Sequence, residues 1–164
     1  MNDLLIRKAT VADINEISTL ANKIWWHHYI TIISKEQIEF MLDKMYSPES
    51  LAEQIQKAHS FFVALFDNTI IGYMSVYKKE EQDFFLDKLY VDNTLQRKNV
   101  GGDLMNEAYK IVGNGNLRLQ VNRKNFKAIN FYFKEGFRIE TVEDFDIGNN
   151  FEMNDFIMIK SIRK

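Results

Sequence analysis

Cysteine is absent and proline occurs once, at Pro48, in a chain of 164 residues. Without cysteine there are no disulfides to staple the fold, so its stability rests on a buried core, which a chain of this length can build as one domain spanning residues 1–164. An excess of charge is also missing. With 21 basic residues against 23 acidic ones, no global field favours nucleic acid or an anionic membrane as partner. No apolar run approaches the length of a membrane span, and Met1–Lys8 lacks the basic start and apolar stretch of a signal peptide, so a soluble, cytoplasmic protein is expected. No Gly-x-Gly-x-x-Gly follows any strand and Gly-x-x-x-x-Gly-Lys does not occur, which disfavours an NAD-binding oxidoreductase. Repeats, linkers and low-complexity segments are lacking as well.

What is present centres on residues 86–136. Leu86 to Val91 reads as an apolar strand and Asp92-Asn93-Thr94-Leu95 as a turn. Gln96-Arg97-Lys98-Asn99-Val100-Gly101-Gly102 then runs into a helix whose apolar residues, Leu104, Met105, Ala108, Ile111 and Val112, recur on one face. A helix start carries unpaired N–H groups and partial positive charge, so a loop wrapping into it forms a cradle for phosphate oxygens. Gly101 and Gly102 let the backbone come close. Leu117 to Val121 alternates like a half-buried strand. Asn125 is a suitable N-cap for a helix from about Phe126 to Glu135, with Gly136 as the residue that releases it.

Around this centre, Leu4 to Lys8 reads as a first strand, and Thr10 with Asp13 marks a helix start that ends near Tyr29 or Ile30. Ser34 and Ser47-Pro48 open two further helices, so that helices fill residues 11–58. Phe61 to Phe66 and Thr69 to Tyr77 form a hairpin about Asp67-Asn68, and a turn at Lys79 to Gln82 leads into the central strand. Phe137 to Thr141 alternates, Asp146 to Asn150 is expected to turn, and Phe156 to Ile162 supplies a last strand. Periodicity alone supports an α+β or mixed-sheet domain.

At two places the chain resembles the GNAT superfamily of N-acetyltransferases. Leu89-Tyr90-Val91 followed by Gln96-x-x-Asn99-x-Gly101 is similar to its acyl-CoA phosphate loop, with Asn99 where the family has a first glycine. Asn tolerates left-handed backbone angles best among non-glycine residues. Asn122-x-x-Asn125-x-x-Ala128-x-x-x-Tyr132-x-x-x-Gly136-Phe137 is similar to its second CoA motif at the full spacing. The resemblance implies an α+β fold with a mixed, mostly antiparallel sheet of about seven strands flanked by helices and splayed at the CoA site. It implies acetyl-CoA as acetyl donor, without a metal. The acceptor would be a small-molecule primary amine, with a diamine or spermidine as candidates, in a direct ternary complex. The alternatives are a protein N-terminus or lysine as acceptor, or a catalytically silent acyl-CoA-binding module.

By the same resemblance, Leu89, Tyr90 and Val91, the loop Gln96, Arg97, Lys98, Asn99, Val100, Gly101 and Gly102, and Asn122, Asn125 and Tyr132 contact CoA. Tyr132 also serves the departing thiolate, and its alternative is a core tyrosine. Asp87 is the first candidate for general base, expected to share a strand face with Leu89 and Val91 because alternate residues point the same way. Trp25, Trp26, His28 and Tyr29 would wall the acceptor site, the tryptophans being open also to core packing or a homodimer contact. His27 and His28 point about 100° apart on a helix and cannot share a metal. The acidic residues Glu140, Glu143, Asp144 and Asp146 are a solvated face or an attraction for a polyamine.

Overall fold

The computed structural model describes residues 3–95 and 99–164. The elements follow in the order β1 (Leu5–Lys8), α1 (Ile14–His28), α2 (Lys35–Tyr46), α3 (Pro48–Gln56), β2 (Ser60–Phe66), β3 (Thr69–Glu80), β4 (Asp83–Val91), α4 (Val100–Val112), β5 (Gly115–Asn122), α5 (Phe126–Lys134), β6 (Arg138–Gly148) and β7 (Phe151–Ile162). Local chemistry sets most of these boundaries. The Thr10 N–H donates to Asp13 Oδ2 at 2.7 Å. Ser34 Oγ caps α2 through the Gln37 N–H, and Ser47 Oγ caps α3 through the Ser50 N–H, with Pro48 at the first helical position. Asp67 and Asn68, with φ of 50° and 61°, make the two-residue turn between β2 and β3.

Seven strands form one sheet in the order β1-β2-β3-β4-β5-β7-β6. Neighbours run antiparallel except β4 and β5, which are parallel. One face buries Leu86, Leu104, Met105, Leu117 and Tyr132 in a layer shared with α4 and α5. The other face buries Trp25, Ile38, Leu51, Phe61 and Tyr73 beneath α1, α2 and α3. A sheet covered on both faces leaves its ends and its interruptions as the places where a ligand can enter.

Several expected boundaries move, β3 among them, which runs past Tyr77 to Glu80. The central strand begins at Asp83 instead of Leu86, and the last two strands form a hairpin much longer than the sequence suggests. β6 runs on to Gly148, β7 starts at Phe151, and the expected turn over Asp146 to Asn150 shrinks to Asn149-Asn150, at φ of 55° and 60°. The physical reason is pairing. Acidic Glu143 and Asp144 face Asp155 and Asn154 across the ladder, and main-chain bonds to β7 hold as strand what composition alone reads as a charged loop.

Candidate active site

The pairing of β4 with β5 stops at Leu86↔Leu119, although both strands continue. Beyond that point β4 is held only by β3 and β5 only by β7. The interruption coincides with a bulge. Opposite the consecutive pair Ser75 and Val76 on β3 stand Lys88 and Leu86, so Asp87 is the extra residue. An inserted residue reverses the alternation. Leu86 packs with the α4 and α5 layer before it, and Leu89 and Val91 do so after it. Lys88 turns instead to the rings of Tyr46 and Phe61 in the opposite layer. Asp87 therefore does not share a face with Leu89 and Val91, as simple alternation predicts. It lies with Lys88 and His59.

On one side of the split lies a groove of about 570 Å³, lined by Leu89 to Thr94, Asn99 to Gly102, Asn125, Phe131 and Tyr132. Asn99 adopts φ 68°, ψ 11°, the left-handed conformation expected of it, and stands immediately before α4. The first N–H groups of that helix have no partner within it. Gly101 has room, since a Cβ there would meet the Phe131 ring at an ordinary 3.4 Å, whereas a Cβ on Gly102 would lie 2.5 Å from Asn99 Oδ1. His28 lines this groove, its Nε2 being 3.0 Å from Asn125 Oδ1. The same Asn125 oxygen caps α5 by accepting the Ala128 N–H. These residues fit an acyl-CoA: an unpaired strand edge for amide groups, and an open helix start where anionic oxygens can approach. Gln96, Arg97 and Lys98 lie outside the described residues.

On the other side lies a cavity of about 330 Å³ between α1, α2, the split and the β6–β7 hairpin. The two spaces share Leu89, Tyr90, Asn125, Ala128 and Tyr132, so they meet where the strands part. Trp25, Tyr29, Tyr46 and Tyr90 supply aromatic walls. Trp25 and Tyr29 stack at 4.3 Å between ring centroids, and the Tyr29 and Tyr90 hydroxyls lie 3.4 Å apart. Three carboxylates, Asp87, Asp146 and Asp155, line it against one cation, Lys44. Tyr132 is 8% exposed, and its hydroxyl makes no hydrogen bond among the described residues. Burial pushes its pKa well above the ordinary tyrosine value, so at physiological pH it is a hydrogen-bond donor and not a base.

Residues 30–153 match the acetyltransferase (GNAT) domain family. The chain belongs to the GNAT acetyltransferases. It is 32% identical over 149 residues to a spermidine N(1)-acetyltransferase of Thermoplasma acidophilum, a match covering 86% of this chain and 92% of that protein. The crystal structure of PaiA N-acetyltransferase from the same organism, in complex with coenzyme A, superposes with a TM-score of 0.81 at 30% identity. That match covers 97% of this chain and 99% of the other. A GCN5-related N-acetyltransferase from Rhodopseudomonas palustris superposes with a TM-score of 0.80 at 18% identity over 99% and 98% of the two chains, and shares the fold. The GNAT fold expected from the motifs is thus borne out, with acetyl-CoA as the acyl donor.

Within this GNAT frame, the sequence motifs converge. Leu89, Tyr90, Val91, Asn99, Val100, Gly101, Gly102, Asn125 and Tyr132 all line the groove beside α4. Asn122 lines the cavity on the other side of the split instead, its Oδ1 accepting the Lys124 N–H at 2.9 Å. Of the expected acceptor wall, Trp25 and Tyr29 line the cavity, His28 belongs to the groove, and Trp26 packs in the helical layer. Glu140 is engaged by Arg118, and Asp144 by Arg123 and Asn154. Only Asp146 of the acidic run reaches the cavity. Sequence reasoning missed Tyr46 and Asp155. The signal for Asp155 is a carboxylate on the same phase as Met153 of an alternating strand, and it becomes readable only once β7 is known to start at Phe151.

Proposed function

We propose that this GNAT enzyme acetylates a primary amine of a small polyamine in a direct ternary complex. The observation that carries this reading is the acidic acceptor cavity, which opens onto the donor groove beside Tyr132. A carboxylate-lined, aromatic-walled space attracts ammonium groups by charge and by ring quadrupole. The relatedness to a spermidine N(1)-acetyltransferase supports the same acceptor class.

Acetyl-CoA supplies an activated thioester, and the chain's own residues do the rest. Main-chain groups of Leu89 and Val91, left without a β5 partner, hold the donor's amides and offer an N–H toward charge developing on the carbonyl oxygen. Asn99 to Gly102 and Asn125 hold the rest of the donor. The Tyr132 hydroxyl donates a hydrogen bond to the departing thiolate. Its raised pKa makes complete proton transfer to a thiolate, whose conjugate thiol has a pKa of about 8.5, uphill, so it stabilises charge instead of neutralising it. Asp87, bonded to the buried Lys88 and 3.9 Å from His59 Nδ1, helps hold the cationic acceptor. Trp25 and Tyr29 position it.

The test is thiol release from acetyl-CoA across a panel of amines. Spermidine or a diamine should outperform a lysine peptide, and the acceptor KM should rise with salt, since charges near the surface are screened over about 10 Å at 0.1 M. A peptide that proves the better acceptor rejects the polyamine reading.

A further inference from the structure

Three carboxylates face the acceptor cavity, and they are not equivalent. Asp146 is exposed, and its Oδ1 accepts the Gly148 N–H at 2.9 Å. Asp87 is paired with Lys88, a residue only 1% exposed. That ion pair engages Asp87 in holding Lys88. Asp155, at the middle of β7, is 2% exposed, and its Oδ1 has no hydrogen-bond partner among the described residues. A buried carboxylate without a donor is costly to keep charged, and it persists where something supplies the missing proton or cation.

We propose that Asp155 accepts the proton of the acceptor's reacting ammonium group, an assignment that rests on the amine-acetyltransferase reading above. One N–H proton of the ammonium passes to a carboxylate oxygen of Asp155 and frees the nitrogen lone pair. That pair forms the new C–N bond as the C–S bond breaks. The second proton, shed by nitrogen as the amide forms, goes to the departing sulfur, and Asp155 returns its own to solvent. Nothing is oxidised or reduced.

The surroundings of Asp155 suit this exchange. Desolvation pushes its pKa up to about 6, with Asp144 on β6 adding to the rise and Arg123 after β5 opposing it. Arg123 is itself bonded to Asp144. Glu143 stands opposite on β6, and Tyr29 faces Asp155 from the helical layer, its own pKa raised chiefly by burial and partly by this carboxylate. The desolvation that raises a carboxylate lowers an ammonium, so the cavity brings the two pKa values toward each other.

The experiment compares wild type with Asp155→Asn, which keeps the shape and removes the proton acceptor. Wild-type kcat/KM for the amine should show an acidic limb near pH 6. In Asp155→Asn that limb should vanish and kcat should fall at least about a hundredfold, with acetyl-CoA affinity by calorimetry unchanged. Asp87→Asn should raise the acceptor KM and keep the limb. A limb that survives in Asp155→Asn overturns the proposal. Should that variant not bind acetyl-CoA, Asp155→Ala with added formate decides: restored turnover supports the assignment, and no rescue rejects it. Failure of the underlying reading looks different, because wild-type protein would then bind acetyl-CoA and release no thiol with any amine.

Discussion

Tyr132 is a buried residue that borders both the groove and the cavity, and its hydroxyl has no hydrogen-bond partner among the described residues. Tyr109 bonds Glu135 at 2.7 Å and Tyr29 approaches Asn125 and Tyr90, whereas Tyr132 offers its hydroxyl to the junction of groove and cavity. Its ring makes edge contacts with Phe131 and Phe137. Tyr132→Phe keeps those contacts and removes a single oxygen. We expect kcat to fall at least about tenfold with acetyl-CoA affinity nearly unchanged, measured by steady-state kinetics beside calorimetry. A loss of melting temperature with full turnover would return the residue to the core.

At the scale of elements, the start of α4 allows binding to be separated from folding. Gly101 has space for a side chain, and an acidic residue in the first turn of a helix complements its dipole. Gly101→Asp should therefore leave the melting temperature unchanged or raise it slightly, while acetyl-CoA binding weakens at least about tenfold because a carboxylate meets the donor's phosphates. Calorimetry and thermal melts on one preparation check both halves. Elements of this kind were legible in the sequence because their signals are local. Asn125 caps α5, Gly136 releases it, and Asn99 takes the left-handed turn with no reference to the rest of the chain. The bulge at Asp87 was not legible, since an extra residue exists only relative to a partner strand. For the same reason Asp155 is hidden in the sequence: the apolar pattern alone begins its strand at Phe156, and only pairing with β5 and β6 carries β7 back to Phe151.

For the molecule as a whole, two carboxylates set opposite pH trends in stability. Asp13, held to about 2 by its hydrogen bonds with Arg7 and Thr10, ties β1 to the start of the helical layer. Its folded pKa lies below its unfolded one, so its contribution is present above about pH 4 and is lost as pH falls toward 2. Asp155 is the reverse case. Its folded pKa of about 6 lies above the ordinary 3.8, so the native state holds a proton that the unfolded chain has released, and stability declines as pH rises between those values. The decline amounts to at most about 3 kcal/mol. Wild type should lose melting temperature between pH 4 and 6.5 relative to Asp155→Asn, and Asp155→Asn should be the more stable protein at pH 7.5. Equal melting curves across that range would show that Asp155 is solvated in the folded protein.

The junction of groove and cavity also bears on how a turnover ends. In the proposed reaction, donor and acceptor would reach Tyr132 through two spaces with largely separate linings, so neither would have to pass the other. Acetylation turns a cationic nitrogen into a neutral amide, and the carboxylates that drew the amine in lose part of their hold on the product. On the proposed polyamine reading, discharge of the product would thus be built into the chemistry: the cavity would attract the amine not yet modified and hold the amide less well.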